Sequence, residues 1–272
     1  MSIAFAWRQL MPLIGFCVIA PLAQADIVPL SELQCEAMRT AGVISDTAPV
    51  GCERLRQVTF RHVDFAGRTR IGDIVVLDAV APHVQAIFDA LYARRFPLAK
   101  AQPMELYRGD DQAAMADNNT SAFNARPITG GTRWSLHAYG VAIDLNPWQN
   151  PYLSFDDTGT ARVQPAAAAQ AGINRLDSRP NKPTRAGMAE DVVDLFAEQG
   201  FLGWGGYWDS PIDYQHFEPG SRSLVEQMAR ATPEQASRLF DTYIAGYTAC
   251  MARAKTGSHA ARRASCVAQS TR

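Results

Sequence analysis

Two short segments of this chain, about seventy residues apart, carry residue types that could bind and use a metal ion. The first segment holds His137 and Asp144, and the second holds His216 with Asp213 three residues before it. Two imidazoles and one carboxylate give Zn²⁺ three protein ligands and leave a fourth position for water, which is typical of catalytic rather than structural zinc sites. If the residues between Asp213 and His216 form a strand or a tight turn, Asp213 can reach that water without binding the metal. Asp213 is then the candidate general base.

Histidine is scarce in this chain, with five residues in all. A lone histidine is more often structural than metal-binding, so the spacing of His137 to Asp144 alone would be weak evidence for a metal site. The second segment, around His216, strengthens that interpretation. We interpret the remaining histidines as structural or, for His259, as part of a basic tail.

Residues 1–25 have the features of an export signal. One positive charge, Arg8, precedes an apolar run over residues 10–20, and Ala23 and Ala25 form a small-x-small cleavage site. The apolar run is too short for a comfortable membrane span. We therefore expect cleavage after residue 25 and an exported protein, periplasmic or secreted, without a membrane anchor; an uncleaved anchor is the alternative.

The overall charge balance narrows the classes of partner. With a formal net charge of -1 and a pI near 6.5, the chain lacks the excess of positive charge that is typical of proteins that bind nucleic acid or an anionic membrane. The length suits one domain with a sizeable core and accessory segments, or two small domains. We favour one domain over residues 26–220, followed by a helical extension and basic tail over residues 221–272. The sequence does not specify an oligomeric state.

The cysteine pattern predicts disulfides. Outside the export signal the chain has Cys35, Cys52, Cys250 and Cys266, an even number in an exported protein. Proximity along the chain favours Cys35 with Cys52 and Cys250 with Cys266, although a bridge joining the two ends of the domain stays open. No C-x-x-C spacing indicates a cysteine zinc site.

Hydrophobic periodicity predicts helices packed on a sheet in the first part of the chain. Helical spacing covers residues 31–41 and 82–95, whereas alternating or β-branched runs predict strands at residues 58–65, 73–78 and 103–107.

The elements expected near the two motifs are a long loop and a strand. The polar, Asn- and Gly-rich residues 110–133 predict the loop, and residues 141–145 predict a strand with Asp144 at its end. Further helices are predicted at residues 189–199, 224–230 and 233–252. The segment from Ala254 onwards is basic and rich in small residues, which predicts a mobile tail.

The two motifs carry a family resemblance. They have the form Ser135-x-His137-x-x-Gly140-x-Ala142-x-Asp144 and Asp213-x-x-His216, and similarity extends through Asn118–Arg126, Trp134–Gly140, Asn146–Tyr152 and Trp204–Trp208. Over roughly residues 50–220 the chain resembles the zinc D-Ala-D-Ala carboxypeptidases and dipeptidases of the VanX and VanY type and the L-alanyl-D-glutamate endopeptidases of phage endolysins. The aspartate three residues before the last histidine is typical of the endolysin-like branch.

The resemblance implies a fold, a zinc cofactor and roles for individual residues. The implied fold is α+β, with a small, mostly antiparallel sheet and flanking helices as in hedgehog and DD-peptidase domains, here followed by C-terminal helices. His137, Asp144 and His216 would bind Zn²⁺, and Asp213 would be the general base. Arg126 would be the cation that stabilises an oxyanion or grips a substrate carboxylate; Arg108 is the rival for that role.

Other residues near the motifs are candidates for substrate contact. Ser135 is expected to bond to backbone or substrate rather than to act as a nucleophile. Tyr139, Trp204 and Trp208 could equally line a cleft or belong to the core. Glu218 could hold a ligand histidine or be solvated.

Together these features predict a zinc peptidase that cleaves peptidoglycan stem peptides, at either the terminal D-Ala-D-Ala bond or the L-Ala-D-Glu bond. A non-catalytic wall-binding module that keeps the fold is the main alternative, and it predicts loss of Asp213 or of a ligand. A structural zinc domain predicts a fourth protein ligand. A lytic toxin against competitors would share the chemistry and differ in destination.

Overall fold

The first part of the chain forms an antiparallel sheet with two helices beside it. The computed structural model describes residues 26–128 and 130–272; the predicted export signal lies outside the described residues. The sheet has the order β1-β2-β3. Its elements are β1 (Asp26–Pro29), α1 (Glu32–Thr40), β2 (Leu55–Val63), β3 (Thr69–Leu77) and α2 (Ala81–Ala93).

Local signals in the sequence explain these elements. Ser31 and Gln34 form a reciprocal capping box that begins α1. The β2–β3 hairpin turns where Asp64 accepts hydrogen bonds from the backbone N–H groups of Ala66 and Arg68, at 2.9 and 3.0 Å. Phe60 of β2 stacks on Phe88 of α2 with ring centroids 3.7 Å apart, which fixes the helix against the sheet.

Short elements fill the middle of the chain. They are β4 (Lys100–Ala101), a 3-10 helix at Met104–Tyr107, α3 (Asp111–Ala116), β5 (Asn119–Thr120), a 3-10 helix at Leu136–Tyr139, β6 (Ile143–Asp144), β7 (Tyr152–Phe155), β8 (Ala161–Gln164) and a 3-10 helix at Ala166–Gln170. Strands β4 and β5 pair in parallel, whereas β7 pairs antiparallel with β8.

The remainder of the chain completes two small sheets and ends in helices. Its elements are a 3-10 helix at Ala189–Asp191, α4 (Val193–Glu198), β9 (Gly203–Trp204), a 3-10 helix at Gly205–Tyr207, β10 (Ile212–Asp213), β11 (His216–Glu218), α5 (Arg222–Arg230), α6 (Pro233–Arg253) and α7 (His259–Ser270). The sheets have the orders β6-β11-β9 and β10-β7-β8 and are antiparallel. The mixture of helices with separate, mostly antiparallel sheets confirms the α+β class.

One hydrophobic core joins these parts. It contains side chains from the first sheet, from α2 and α4, and from the C-terminal helices α5 and α6. Buried Arg54 reinforces the join, because it pairs with Asp78 and donates to the carbonyl oxygens of Met228, Ala229 and Ala231 at the end of α5. The C-terminal helices are therefore packed onto the body of the protein.

The two disulfides have the pairing that chain proximity favours. Cys35 bonds to Cys52, tying α1 to a 3-10 helix at Cys52–Arg54 that leads into β2, and Cys250 bonds to Cys266, tying α6 to α7. Among the described helices, none combines the length and apolarity needed to cross a membrane.

Three expectations about local structure were wrong. Residues 104–107 form a 3-10 helix rather than a strand; it begins after Pro103 and ends at Arg108, which has a left-handed conformation. The start of the expected loop at 110–133 is helix α3, capped by Asp110, and β5 follows. The expected mobile tail contains helix α7, because Cys266 is buried and bonded to Cys250.

Candidate metal centre and active site

A short, tightly packed turn positions His137. Ser135 caps the 3-10 helix at Leu136–Tyr139 by accepting a hydrogen bond from the His137 backbone N–H at 3.3 Å. The turn ends at Gly140, whose φ is +69° and where a Cβ atom would lie 2.6 Å from the Leu77 backbone nitrogen. Only glycine suits both that φ and that contact. The turn is therefore held directly against β3.

Strand pairing brings the other two motif residues together. Asp144 of β6 lies directly opposite His216 of β11 in the antiparallel register. The backbone of Asp144 also exchanges two hydrogen bonds with Ser121, of 3.0 and 2.9 Å, on its other side. Two segments about seventy residues apart in the sequence thus meet as neighbours in one small sheet.

One atom from each of these three side chains converges on a common point. His137 Nε2 lies 3.2 Å from His216 Nδ1 and 3.3 Å from Asp144 Oδ1, and His216 Nδ1 lies 3.0 Å from Asp144 Oδ1. Ligands about 2.0–2.1 Å from a tetrahedral Zn²⁺ ion are separated from one another by about 3.3 Å. The three residues therefore fit a zinc ion with one position left open.

The hydrogen bonds on the far side of each imidazole favour metal binding. His137 Nδ1 donates to the Ala122 carbonyl oxygen at 2.6 Å, and His216 Nε2 donates to Glu218 Oε2 at 3.1 Å. When each imidazole is neutral, as a metal ligand must be, its one N–H is used in these bonds and its lone pair faces Asp144. Two lone pairs and a carboxylate that face one another require a cation between them.

The charges at this site also favour a cation, which is a proton when no metal is bound. Although burial alone would raise the pKa of Asp144, the imidazoles of His137 and His216 hold it below its usual range. Burial likewise opposes the charged form of His216, but hydrogen bonds to Asp144 and Glu218 raise its pKa well above the ordinary value. Without a metal, the two carboxylates therefore hold a proton on the ring between them.

Asp213 reaches the same cavity from the neighbouring sheet. It pairs with Tyr152 across β10 and β7, and the turn at residues 214–215 leads directly to His216. Gly205 packs against it so closely that a Cβ there would lie 2.5 Å from the Asp213 carbonyl oxygen. Burial, and then the charge of Asp144, raise the pKa of Asp213 to about 7. Its Oδ1 atom is buried and has no hydrogen-bond partner within the described parts of the chain, as suits a group that exchanges protons.

A cavity of about 410 Å³ opens over these residues. It is lined by the three candidate ligands and Asp213, and by Ser135, Arg126 and Trp208 from the predicted set. The Trp208 ring centroid lies 5.3 Å from that of His216. The cavity is large enough for a short peptide segment.

The structure separates the two candidate arginines. Arg126 lines the cavity, and its Nε atom forms an ion pair with Asp111, which lines the cavity as well. Arg108 is exposed, ends the 3-10 helix at Met104–Tyr107, and does not line the cavity.

Two of the aromatic candidates lie in the core. Tyr139 and Trp204 are buried and do not line the cavity. The Trp204 indole donates to the Tyr214 carbonyl oxygen at 2.8 Å and stacks over Phe217, so it supports the turn between Asp213 and His216.

The cavity lining also includes residues that sequence reasoning did not select, among them Tyr152, Gln215 and Arg222. Gln215, placed between Asp213 and His216, could have been recognised from its position. Arg222 had no such signal, because it begins a helix beyond both motifs.

Comparison with known proteins agrees with the motifs. Residues 129–219, about a third of the chain, match the sequence model of a family described as D-alanyl-D-alanine carboxypeptidase, in agreement with the resemblance seen in the sequence. This segment contains His137, Asp144, Asp213 and His216, whereas Arg126 and Arg222 lie outside it. No curated protein and no solved structure matches the chain significantly.

Proposed function

We propose that this protein is a zinc-dependent peptidase that hydrolyses a peptide bond in peptidoglycan stem peptides, either the terminal D-Ala-D-Ala bond or the L-Ala-D-Glu bond. The observation that carries this proposal is the convergence of His137 Nε2, His216 Nδ1 and Asp144 Oδ1 within 3.0–3.3 Å of one another. The family match of the surrounding segment supports the peptidase class. The two disulfides support an oxidising compartment outside the cytoplasm.

His137, Asp144 and His216 would hold the metal. Bound in such a site, zinc supplies a Lewis acid that polarises a carbonyl and lowers the pKa of water towards about 7. The Ala122 carbonyl and Glu218 fix the two imidazoles in the tautomers that this binding requires.

Asp213 is the proposed proton carrier. Its carboxylate accepts a proton from the water that attacks the amide carbon, and the resulting carboxylic acid protonates the leaving amine. No covalent enzyme intermediate is needed. Burial raises the pKa of Asp213 and so favours its protonated form, which suits a group that must take up a proton and release it again.

Arg126 is the proposed electrostatic partner of the developing oxyanion, with its orientation set by Asp111. Ser135 serves the turn that holds His137. Trp208 is proposed as a wall of the substrate cleft, since it lines the cavity beside His216.

Digestion of defined stem peptides, followed by mass spectrometry, tests the proposal. The zinc-loaded protein, the chelator-treated protein, Asp213→Asn and the exposed control Asp209→Asn should be compared on the same peptides. We expect cleavage by the zinc-loaded protein and the control, and loss of cleavage with chelator or in Asp213→Asn. Release of a terminal D-Ala identifies a carboxypeptidase, and release of L-Ala identifies an endopeptidase. Stoichiometric zinc with no cleavage of any stem peptide would refute the proposal and favour a binding module.

A further inference from the structure

Buried polar atoms without partners are concentrated at the candidate active site. Within the described residues, eight buried side-chain nitrogen or oxygen atoms have no hydrogen-bond partner, and four of them belong to residues that line this one cavity. The four residues are Arg126, Asp213, Gln215 and Arg222. Asp213 is accounted for as the proton carrier, and Arg126 is paired with Asp111. The Gln215 Oε1 atom and the Arg222 Nη1 atom still need a hydrogen-bond partner.

Arg222 is held at the cavity by the packing of a C-terminal helix. It is the first residue of α5, which packs against the 3-10 helix that carries His137. Its Nη2 atom donates to the Trp134 carbonyl oxygen at 3.1 Å, which anchors one side of the guanidinium group. Its Nη1 atom is buried and, among the residues that the structure describes, meets no acceptor.

A buried guanidinium edge without an acceptor is costly. Arginine stays charged at any physiological pH, and leaving a buried charged donor unpaired costs about 1–3 kcal/mol or more. Three of the four carboxylates that line the cavity are engaged elsewhere, because Asp144 and Glu218 bond to His216 and Asp111 pairs with Arg126. The fourth is Asp213, and it does not accept a hydrogen bond from Arg222 Nη1. The acceptor for Arg222 Nη1 must therefore come from water in the cavity or from a bound molecule.

The two cavity arginines differ in how readily they can bind an anion. Arg126 already forms an ion pair with Asp111 and donates from Nη1 to the Pro127 carbonyl oxygen at 3.2 Å. A ligand carboxylate at Arg126 must compete with Asp111, whereas one at Arg222 displaces no protein carboxylate. Guanidinium groups also match the planar geometry of a carboxylate.

Gln215 supplies a complementary group. Its side chain is buried, and its Oε1 atom has no donor within the described residues. A ligand that presents a carboxylate to Arg222 and an N–H group to Gln215 would satisfy both. A peptide carries both groups.

We propose that Arg222 binds a free carboxylate of the substrate and makes the protein selective for stem peptides in which that carboxylate is not amidated. This inference rests on the proposed function for the identity of the peptide, but the binding site itself consists of Arg222 and Gln215. The carboxylate belongs either to the chain terminus or to an acidic side chain of the stem.

Binding measurements on peptide pairs test the inference separately from catalysis. Zinc-loaded Asp213→Asn protein, which should not turn substrate over, is titrated calorimetrically with three stem peptides: one unmodified, one amidated only at the C-terminus, and one amidated only at its acidic side chain. We expect one of the two amidations to weaken binding by about tenfold to a hundredfold, as for loss of a hydrogen-bonded charge, and this identifies the carboxylate.

The arginine variants then assign the effect. In the Asp213→Asn background, Arg222→Met should weaken binding of the unmodified peptide to the level of the amidated one, and Arg222→Lys should retain part of the preference. Arg230→Met, which removes the same charge from an exposed position of α5, is the matched control and should bind like the parent protein. Zinc content and near-ultraviolet circular dichroism show whether each variant is folded and loaded.

Three outcomes would overturn the inference. They are equal binding of all three peptides by the parent, an undiminished carboxylate preference in folded Arg222→Met, and transfer of the whole effect to Arg126→Met. If the wild-type protein cleaves none of these peptides but binds the carboxylate forms through Arg222, the proposed function fails and the inference stands. If the protein cleaves these peptides without any preference for the free carboxylate, the proposed function stands and the inference fails.

Discussion

Replacement of Glu218 tests whether the outer hydrogen bond of His216, a proposed zinc ligand, contributes to metal affinity. Glu218 Oε2 accepts from His216 Nε2 at 3.1 Å, while His216 Nδ1 points to Asp144. In Glu218→Gln the acceptor oxygen can remain in place but loses its charge. In Glu218→Ala the acceptor is removed, and the ring is free to change its tautomer and to rotate.

The structure allows the size of each effect to be worked out. A hydrogen bond to a charged acceptor is worth about 1.5–3 kcal/mol, and one to a neutral acceptor about 0.5–1.5 kcal/mol. The difference of about 1–1.5 kcal/mol corresponds to roughly a tenfold loss of affinity. The Glu218 side chain is 19% exposed, so solvent screens only part of its charge. We therefore expect zinc to bind Glu218→Gln about tenfold more weakly and Glu218→Ala up to about a hundredfold more weakly.

Competition between the protein and a chromogenic chelator measures these affinities directly. Wild type, Glu218→Gln, Glu218→Ala and the control Glu226→Gln are titrated at one pH and one ionic strength. Glu226 lies on α5 and pairs with Arg230 on the surface, so its replacement should leave zinc affinity unchanged. If both Glu218 variants bind zinc within twofold of wild type, the hydrogen bond does not tune the site. If the control weakens as much as they do, the effect is one of net charge.

Three further predictions follow from contacts outside the ligand set. Gly140→Ala should destabilise the protein by about 2–4 kcal/mol in urea unfolding, because a Cβ there combines a left-handed φ with a 2.6 Å contact to Leu77; a loss below 0.5 kcal/mol would refute it. Arg54→Met should cost about 3–5 kcal/mol, because it leaves Asp78 buried without its partner, and the double variant with Asp78→Leu should recover much of this loss. In metal-free protein, the pKa of Asp213 is about 7, above the unfolded value of about 3.9. Between these two values the folded state binds one more proton than the unfolded state, so the free energy of unfolding falls as the pH rises from about 4 to about 7. Asp213→Asn should therefore raise the melting temperature of chelator-treated protein more at pH 8 than at pH 5, and an equal rise at both would contradict the assigned shift.

Features set by near neighbours in the chain were the ones that sequence analysis could predict. Ser31 with Gln34, and Thr232 with Pro233, begin helices where their capping patterns occur. The disulfide pairing follows from chain proximity. The candidate ligands were selected because each motif is a compact local pattern, and pairing of β6 with β11 then brings the two motifs together.

Features that depend on distant packing escaped prediction. Helix α7 lies in a basic, small-residue segment whose composition favours disorder, and it is tied down by Cys266 and by an ion pair between Arg263 and Asp194. The 3-10 helix at Met104–Tyr107 has the alternating residues of a strand, but Leu106 is exposed and none of the described strands pairs with this segment. Composition and periodicity carry no information about such partners.

Arg222 shows why the C-terminal helices matter to the site. The match to the carboxypeptidase family ends at residue 219, three residues before Arg222, so the matched segment holds the candidate ligands and base but neither cavity arginine. Arg222 is presented to the cavity by α5, whose end is bonded to Arg54, and its own side chain donates to the Trp134 carbonyl oxygen. Loss of the Arg54 bonds is expected to loosen the end of α5, the helix that presents Arg222. The 3-10 helix that carries His137 also contacts α5, but it is bonded to β3 through Gly140, and Asp144 and His216 are held by strand pairing. Arg54→Met protein that still folds should keep its zinc affinity and lose its carboxylate preference, which separates metal binding from substrate selection.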